Sequence, residues 1–193
     1  MNIVLLGASG SGKSTIEHEL SEHNGFAKII SYTTRQKRDG EENGRDYYFT
    51  NNDTFDDMIN RGLFAEYDEY SQKRLYGTLK SDYVEGDSVV VLTPNGLRQL
   101  KKNCNADDIF TVFVEASLGT RIKRYIDSCG IDKFDFDDKN EIAARVERDY
   151  GMFLGLEKEA DIVVRNDEGT DIKEIVKEIL ECLEKRKMML TKK

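Results

Sequence analysis

The sequence predicts an α/β fold, an open parallel sheet of about five strands with helices on both faces. Three observations lead there. Short apolar runs recur along the chain, helix-period segments separate them, and a glycine-rich turn joins the first run to the first helix. A parallel strand covered on both faces reads as a continuous apolar run, without polar alternation. Asn2 to Leu6, Ala27 to Ile30, Ser88 to Leu92, Ile109 to Glu115 and Asp161 to Val164 all have that character.

The helices follow in order. The first is expected from Lys13 to about His23, with Ile16 and Leu20 on one face and His18 and His23 on its polar side or at its end, away from catalysis. Leu97 and Leu100 mark the next. Ser117 is placed to cap another, which carries Leu118, Ile122 and Ile126 and stops near Gly130. The last runs from about Thr170 to Met188; Ile172, Ile175, Val176, Ile179, Leu180 and Leu183 form a core-packing stripe with no cofactor role. Two stretches break the alternation: Ser31 to Asp87, rich in Tyr, charge and Gly turns, and the aspartate-rich Ser128 to Asn140. Insertions at the C-terminal ends of strands are where such a sheet carries substrate binding and a lid.

With 193 residues, 38% of them hydrophobic, the chain can bury one substantial core, so one domain is expected. The net charge of −8 and the lack of a long basic stripe argue against nucleic-acid binding. Cys104, Cys129 and Cys182 are widely spaced and suit reduced thiols in a cytoplasmic protein; they form neither a disulfide framework nor a zinc pattern. No run reaches 18 apolar residues and the N-terminus reads as a core strand, so neither a membrane span nor a secretory leader is expected. The aspartates of the second stretch lack the glycine and glutamate spacing of a calcium loop.

The turn after the first strand is Gly7-Ala8-Ser9-Gly10-Ser11-Gly12-Lys13-Ser14-Thr15, a full G-x-x-x-x-G-K-S phosphate-binding loop between a strand and a helix. Its glycines let backbone N–H groups point inward at nucleotide phosphates. Lys13 supplies a point charge for the β and γ oxygens, and the Ser14 hydroxyl is the expected Mg²⁺ ligand. Residues Ala8 through Thr15 therefore form the expected ATP-binding loop, and the fold is of the P-loop NTPase type.

The stretch Ser31-Tyr32-Thr33-Thr34-Arg35-Gln36-Lys37-Arg38-Asp39-Gly40-Glu41-Glu42-Asn43-Gly44-Arg45-Asp46-Tyr47-Tyr48-Phe49 resembles guanylate kinase, whose pattern is S-x-T-T-R-x-x-R-x-G-E-x-x-G-x-D-Y-x-F. Gly62 to Tyr67, Tyr76-Gly77-Thr78 and Asp161 to Asp167 extend the resemblance over nearly the whole chain. It implies a mixed NMP-binding subdomain at about 31–87, a lid at about 128–140 and a core at 1–30, 88–127 and 141–190. It also implies Mg²⁺-dependent phosphorylation of GMP or dGMP by ATP; the sequence leaves monomer and homodimer both open. Arg35, Arg38, Tyr47 and Tyr76 match the GMP-phosphate contacts; two arginines can present planar donor forks to one phosphate. Ser31 and Thr78 match the guanine O6 side, and Glu66 the N1–H and 2-amino side. A carboxylate accepts from both of those donors and meets a lone pair on adenine.

The chain departs from that pattern twice. The family's L-x-x-D-x-Q-G-like element is replaced by Leu92-Thr93-Pro94-Asn95-Gly96, so no carboxylate ends that strand. The R-G-R-x-T-like lid run is absent: Arg121 and Arg124 stand on the preceding helix, while Arg145, with Arg148 as a further candidate, matches the returning lid arginine. Lys13, Arg35, Arg124 and Arg145 are the expected charge-neutralising groups, with Lys133 or Lys139 as replacements for the missing arginine. Asn166 matches the position near the adenine of ATP. Two other readings stay open: a P-loop kinase acting on a ribose phosphate or modified nucleotide, and a non-catalytic guanylate-kinase-like binding module.

Overall fold

The computed structural model describes residues 1–70, 73–83, 86–129 and 136–191. The first apolar run forms β1 (Asn2–Leu6), buried along its whole length. Four strands complete a parallel sheet with it: β2 (Ala27–Lys28), β7 (Ser88–Val91), β8 (Ile109–Glu115) and β9 (Ile162–Arg165). The order is β2-β7-β1-β8-β9. Alternate side chains of β1 serve opposite faces. Ile3 and Leu5 pack with Ile16 and Leu20 of α1 (Lys13–His23) and with Ile175, Ile179 and Leu183 of α6 (Ile172–Leu190). Val4 and Leu6 pack with Leu97 and Leu100 of α3 (Pro94–Asn103) and with Leu156. Burial on both faces is why these strands read as unbroken apolar runs.

Between β2 and β7 the chain builds a second sheet from β3 (Tyr32–Thr33), β4 (Tyr48–Phe49), β5 (Phe64–Tyr70) and β6 (Arg74–Leu79), in the order β4-β3-β6-β5. It is mixed: β3 and β4 run parallel, the other pairs antiparallel. Phe55 and Met58 of α2 (Asn52–Asn60) bury against Phe64 to give it a small core of its own. The remaining helices are α4 (Leu118–Cys129) and α5 (Phe136–Phe153).

Sequence and structure differ mainly at sheet edges. The expected strand Ala27 to Ile30 shortens to two residues, which pair with Ser88 and Val89 and are exposed because β2 is an edge. The expected buried strand Asp161 to Val164 is the opposite edge; it spans Ile162–Arg165 and leaves Val163 40% exposed. At the end of β7 the ladder stops at Val91, because Thr93 turns the chain into α3 as its N-cap, accepting from the Gly96 N–H at 3.0 Å, with Pro94 next in the first helical turn. The Thr93–Pro94 bond is trans. Ser117 caps α4 as expected, its Oγ accepting from Thr120 N. Much of the expected lid is helical, since α4 runs to Cys129 and α5 begins at Phe136; Lys133 and the Gly130 stop lie outside the described residues, as does the side chain of Lys139.

One polar feature joins the two sheets. Asn95, Gln99 and Asn103 recur every fourth residue on one face of α3 and hydrogen-bond along β5, the free edge of the second sheet. Asn95 Nδ2 donates to Asp68 Oδ1 (3.0 Å), Gln99 exchanges bonds with the Tyr67 backbone (2.7 and 3.3 Å), and Asn103 Nδ2 donates to Ala65 O (2.7 Å). An edge strand thus receives its missing partners from a helix.

Candidate active site

The loop from Gly7 to Ser14 connects β1 to α1, as its spacing requires. Gly7, Gly10 and Gly12 all take positive φ. At Gly7 and Gly12 a side chain is also excluded by space: a Cβ would stand 2.3 Å from Val114 O and 2.1 Å from Asn166 Nδ2. Lys13 curls back inside the loop and donates to Gly7 O (2.7 Å) and Ala8 O (2.9 Å). Burial, aided by nearby Arg121 and opposed by the attraction of Asp149, lowers its pKa to about 8.

Groups from α4, α5 and β9 brace the loop. Asp149 is 1% exposed; its Oδ2 accepts from Ser9 N (2.7 Å) and from Arg121 Nη2 (3.1 Å). Arg121 Nε donates to Ser9 O, and Arg124 Nη1 to Gly10 O. Both arginines therefore lie on the phosphate loop, and α4 does not carry them as a solvated face. Asn166 donates to Ser11 O at 2.8 Å and accepts from Arg124 Nη2. It is buried as a brace under the loop. Arg145 lies with its guanidinium 5.0 Å from the Tyr125 ring and, with Arg124, lines a cavity of about 260 Å³ beside Ser9 and Gly10.

A larger cavity of about 590 Å³ opens on the other side of Ser9 and Lys13. Arg35, Arg38, Tyr47 and Tyr76 line one part of it, Ser31 and Glu66 another. Arg35 is 7% exposed and grips Glu41 with two hydrogen bonds of 2.6 and 3.0 Å, its guanidinium 5.2 Å from the Tyr47 ring. Burial works against the Arg35 charge, but the bonds to Glu41 and Tyr76 raise its pKa; those same bonds from Arg35 hold Glu41 below the usual carboxylate range. Arg38 is exposed; its backbone N–H donates to Glu41 Oε2 at 2.8 Å and its backbone carbonyl accepts from Glu41 N at 3.2 Å.

Glu66 is 4% exposed on β5. Burial raises its pKa to about 7; the Thr78 hydrogen bond opposes the rise and the neighbouring Asp68 charge adds to it. Thr78 is fully buried, and its hydroxyl is spent on Glu66 Oε1 and Tyr83 OH, both at 2.7 Å. It reaches the expected base-reading carboxylate as its support. Gly96 gives Glu66 room: a Cβ there would fall 2.6 Å from Glu66 Oε2.

Sequence reasoning missed several residues of this surface. Asp68 on β5 lines the large cavity and is held by Thr93 and Asn95, the departing element itself. Tyr70 joins three parts: its hydroxyl lies 3.1 Å from Ser9 Oγ and accepts from Arg148 Nη2, whose guanidinium sits 4.4 Å from the Tyr70 ring centre. Asp149 gave no local signal, since nothing in Arg148-Asp149-Tyr150 points to the loop 140 residues away. The amides of α3 did carry one, their four-residue spacing.

These positions fit a nucleotide's phosphates: a glycine-bound loop that excludes side chains, with a lysine inside it and arginines along it. Among the described residues, no three His, Cys, Asp or Glu side chains cluster to hold a metal ion on their own. Ser14, exposed in the first turn of α1, fits Mg²⁺ as an ion carried chiefly by phosphates and water. No helix among the described residues is long and apolar enough to cross a membrane.

The guanylate kinase family model matches residues 1–185. A guanylate kinase of Lactococcus lactis is 33% identical over 190 residues, 93% of this chain and 86% of its own. The human guanylate kinase is 49% identical over 80 residues, 40% of each chain. The crystal structure of guanylate kinase from Anaplasma phagocytophilum matches with a TM-score of 0.69 at 22% identity, covering 97% of this chain and 86% of that one, a likeness of fold. With the phosphate loop, the arginine-lined cavity and a match along nearly its whole length, this chain belongs to the guanylate kinase family and is an ATP-dependent GMP phosphotransferase.

Proposed function

We propose that the large cavity is the GMP site, that the cavity beside Gly10 belongs to the ATP side, and that the phosphoryl group passes between them at Ser9 and Lys13. The observation carrying this is the single cavity that Lys13 shares with Glu66, Arg35 and Arg38. Arg35 and Arg38 hold the acceptor phosphate, with the Tyr47 and Tyr76 hydroxyls as further donors. Glu66, ionised, accepts from guanine N1–H and the 2-amino group, with Ser31 on the O6 side. One GMP phosphate oxygen attacks the γ-phosphorus and ADP leaves with the bridging electrons, so alignment and charge neutralisation are the protein's task. Lys13 and the loop N–H groups neutralise the donor phosphates, and Arg124 and Arg145 stand on the same side. Mg²⁺, held at Ser14 with the nucleotide, would supply further neutralisation. Residues 31–87 serve as the NMP-binding subdomain and the segment around 128–140 as the lid.

The retained Ser31, Glu66 and Thr78 favour guanine over another acceptor. The test is Mg²⁺-dependent ADP formation from ATP with GMP, dGMP, AMP, CMP, UMP and ribose phosphates. Turnover with GMP or dGMP that Lys13→Ala abolishes and Glu66→Ala severely weakens is the expected result. Turnover with a ribose phosphate alone, or none, would overturn the assignment.

A further inference from the structure

The end of β7 bears no carboxylate, yet a carboxylate stands there. Asp68 comes from β5, two residues beyond Glu66 and therefore on the same face of the strand. It lines the large cavity beside Glu66 and Thr93. Its Oδ2 accepts from Thr93 Oγ1 at 2.5 Å and its Oδ1 from Asn95 Nδ2 at 3.0 Å. Both partners are neutral donors at the start of α3, so the side chain is fixed while its charge is not cancelled, and the helix N-terminus favours that charge. Each carboxylate oxygen has two acceptor positions, so each keeps one for a ligand.

We propose that Asp68 is a specificity-determining residue of the acceptor site, accepting the 2-amino hydrogen of the base that Glu66 does not take. This rests on the reading of the cavity as the GMP site. A guanine edge brings three N–H bonds: N1–H and two on the 2-amino group. Glu66 can take N1–H and one amino hydrogen as a parallel pair, with its other face closed by Thr78 and Gly96. The second amino hydrogen needs its own acceptor once the base is buried. Asp68 is the carboxylate held next to Glu66 for it. Thr93 and Asn95 thereby acquire a purpose: they replace an acid on β7 by orienting one on β5.

The test compares GMP with IMP, which lacks only the 2-amino group, in wild type and in Asp68→Asn. Wild type should prefer GMP over IMP by at least tenfold in kcat/KM. Asp68→Asn should lower kcat/KM for GMP by about tenfold to a hundredfold, the range for a hydrogen bond to a charged acceptor. IMP should change little, with the loss carried by KM and the half-saturating Mg²⁺ concentration unmoved. Asp68→Ala, checked by thermal melting, should give the same collapse of the GMP:IMP ratio. Equal losses for both nucleotides would overturn the assignment, whether with a raised Mg²⁺ requirement, which would place Asp68 on the metal side, or without one. So would a wild type indifferent to the 2-amino group, the arm that stands even if both variants misfold. Wild type turning over neither nucleotide would remove the GMP reading and this inference with it; GMP turnover with an unchanged ratio in Asp68→Asn would remove this inference alone.

Discussion

Glu66 is a buried carboxylate that the proposed function assigns to the guanine base, and the cost of burying it should be visible without the ligand. Its pKa rises from 4.5 to about 7, chiefly through burial, a difference of about 3 kcal/mol between its protonation states. Below pH 4.5 the group is protonated in folded and unfolded chains alike and contributes no pH dependence. Between 4.5 and about 7 the folded protein keeps a proton that the unfolded chain has lost, so this contribution to stability falls as pH rises. Above pH 7 the full loss, about 3 kcal/mol, is reached. Glu66→Gln preserves the shape and the acceptor for Thr78 Oγ1 but never ionises. Relative to wild type, the variant should therefore gain up to about 3 kcal/mol between pH 5 and pH 8, or about 6–12 °C in Tm for a chain of this size. The assay is a set of thermal melts of both nucleotide-free proteins from pH 5 to pH 8. In kinetics, the wild-type KM for GMP should fall over the same interval as the carboxylate ionises, while Glu66→Gln stays impaired throughout. Parallel stability curves for the two proteins, or a variant that loses ground as pH rises, would refute the reasoning.

Gly96→Ala should raise the KM for GMP more than about tenfold and leave that for ATP unchanged, since its Cβ would displace Glu66 Oε2 from 2.6 Å away; initial rates with each nucleotide varied will read it. Asp149→Asn removes the charge that opposes burial at Lys13, so the Lys13 pKa should drop below about 8. The kcat/KM for ATP should then fall off at lower pH than in wild type, as a pH profile of free enzyme reports. Asn166→Ala strips the buried Ser11 carbonyl of its donor, a loss of about 1–3 kcal/mol readable as a lower Tm.

The legible parts of this molecule were those set by local rules. β1, the phosphate loop and α1 announce themselves through an apolar run, fixed glycines and a lysine, and all three lie where the spacing put them. Strand ends were less legible because an edge strand pairs on one side only, and where it leaves its neighbour is decided by the register and the turn that follows, which no window around Ala27 or Asp161 contains. Arg35 and Glu66 could be singled out through the family pattern, but their burial could not, because it depends on Tyr47, Thr78 and Gly96 closing around them. Asp149 and Asp68 were illegible for a plainer reason. Their partners, Ser9 and Arg121 for one and Thr93 and Asn95 for the other, are distant in sequence, and an isolated aspartate reads as a solvated charge until the fold brings its donors to it.

Three cations of the site are already occupied by the protein itself. Lys13 is bonded to two carbonyls of its own loop, Arg35 to Glu41, and Arg121 to Asp149. A charge buried and unpaired would cost several kcal/mol, so in the absence of nucleotide each needs an internal acceptor that keeps it near the geometry it will use. Under the proposed function, phosphate binding is then an exchange of acceptors. For Lys13 the incoming oxygens are charged where the carbonyls are neutral, so the exchange is favourable. For Arg35 the incumbent is itself a carboxylate in a two-point bond, and a phosphate must share the guanidinium, with Arg38 and the tyrosines supplying the rest. This asymmetry predicts that Glu41→Gln, which weakens the incumbent, alters GMP binding through Arg35 while leaving ATP binding at Lys13 untouched. Titrating each nucleotide separately against wild type and variant checks it, and a parallel change in both affinities would show that the two sites do not hold their cations independently.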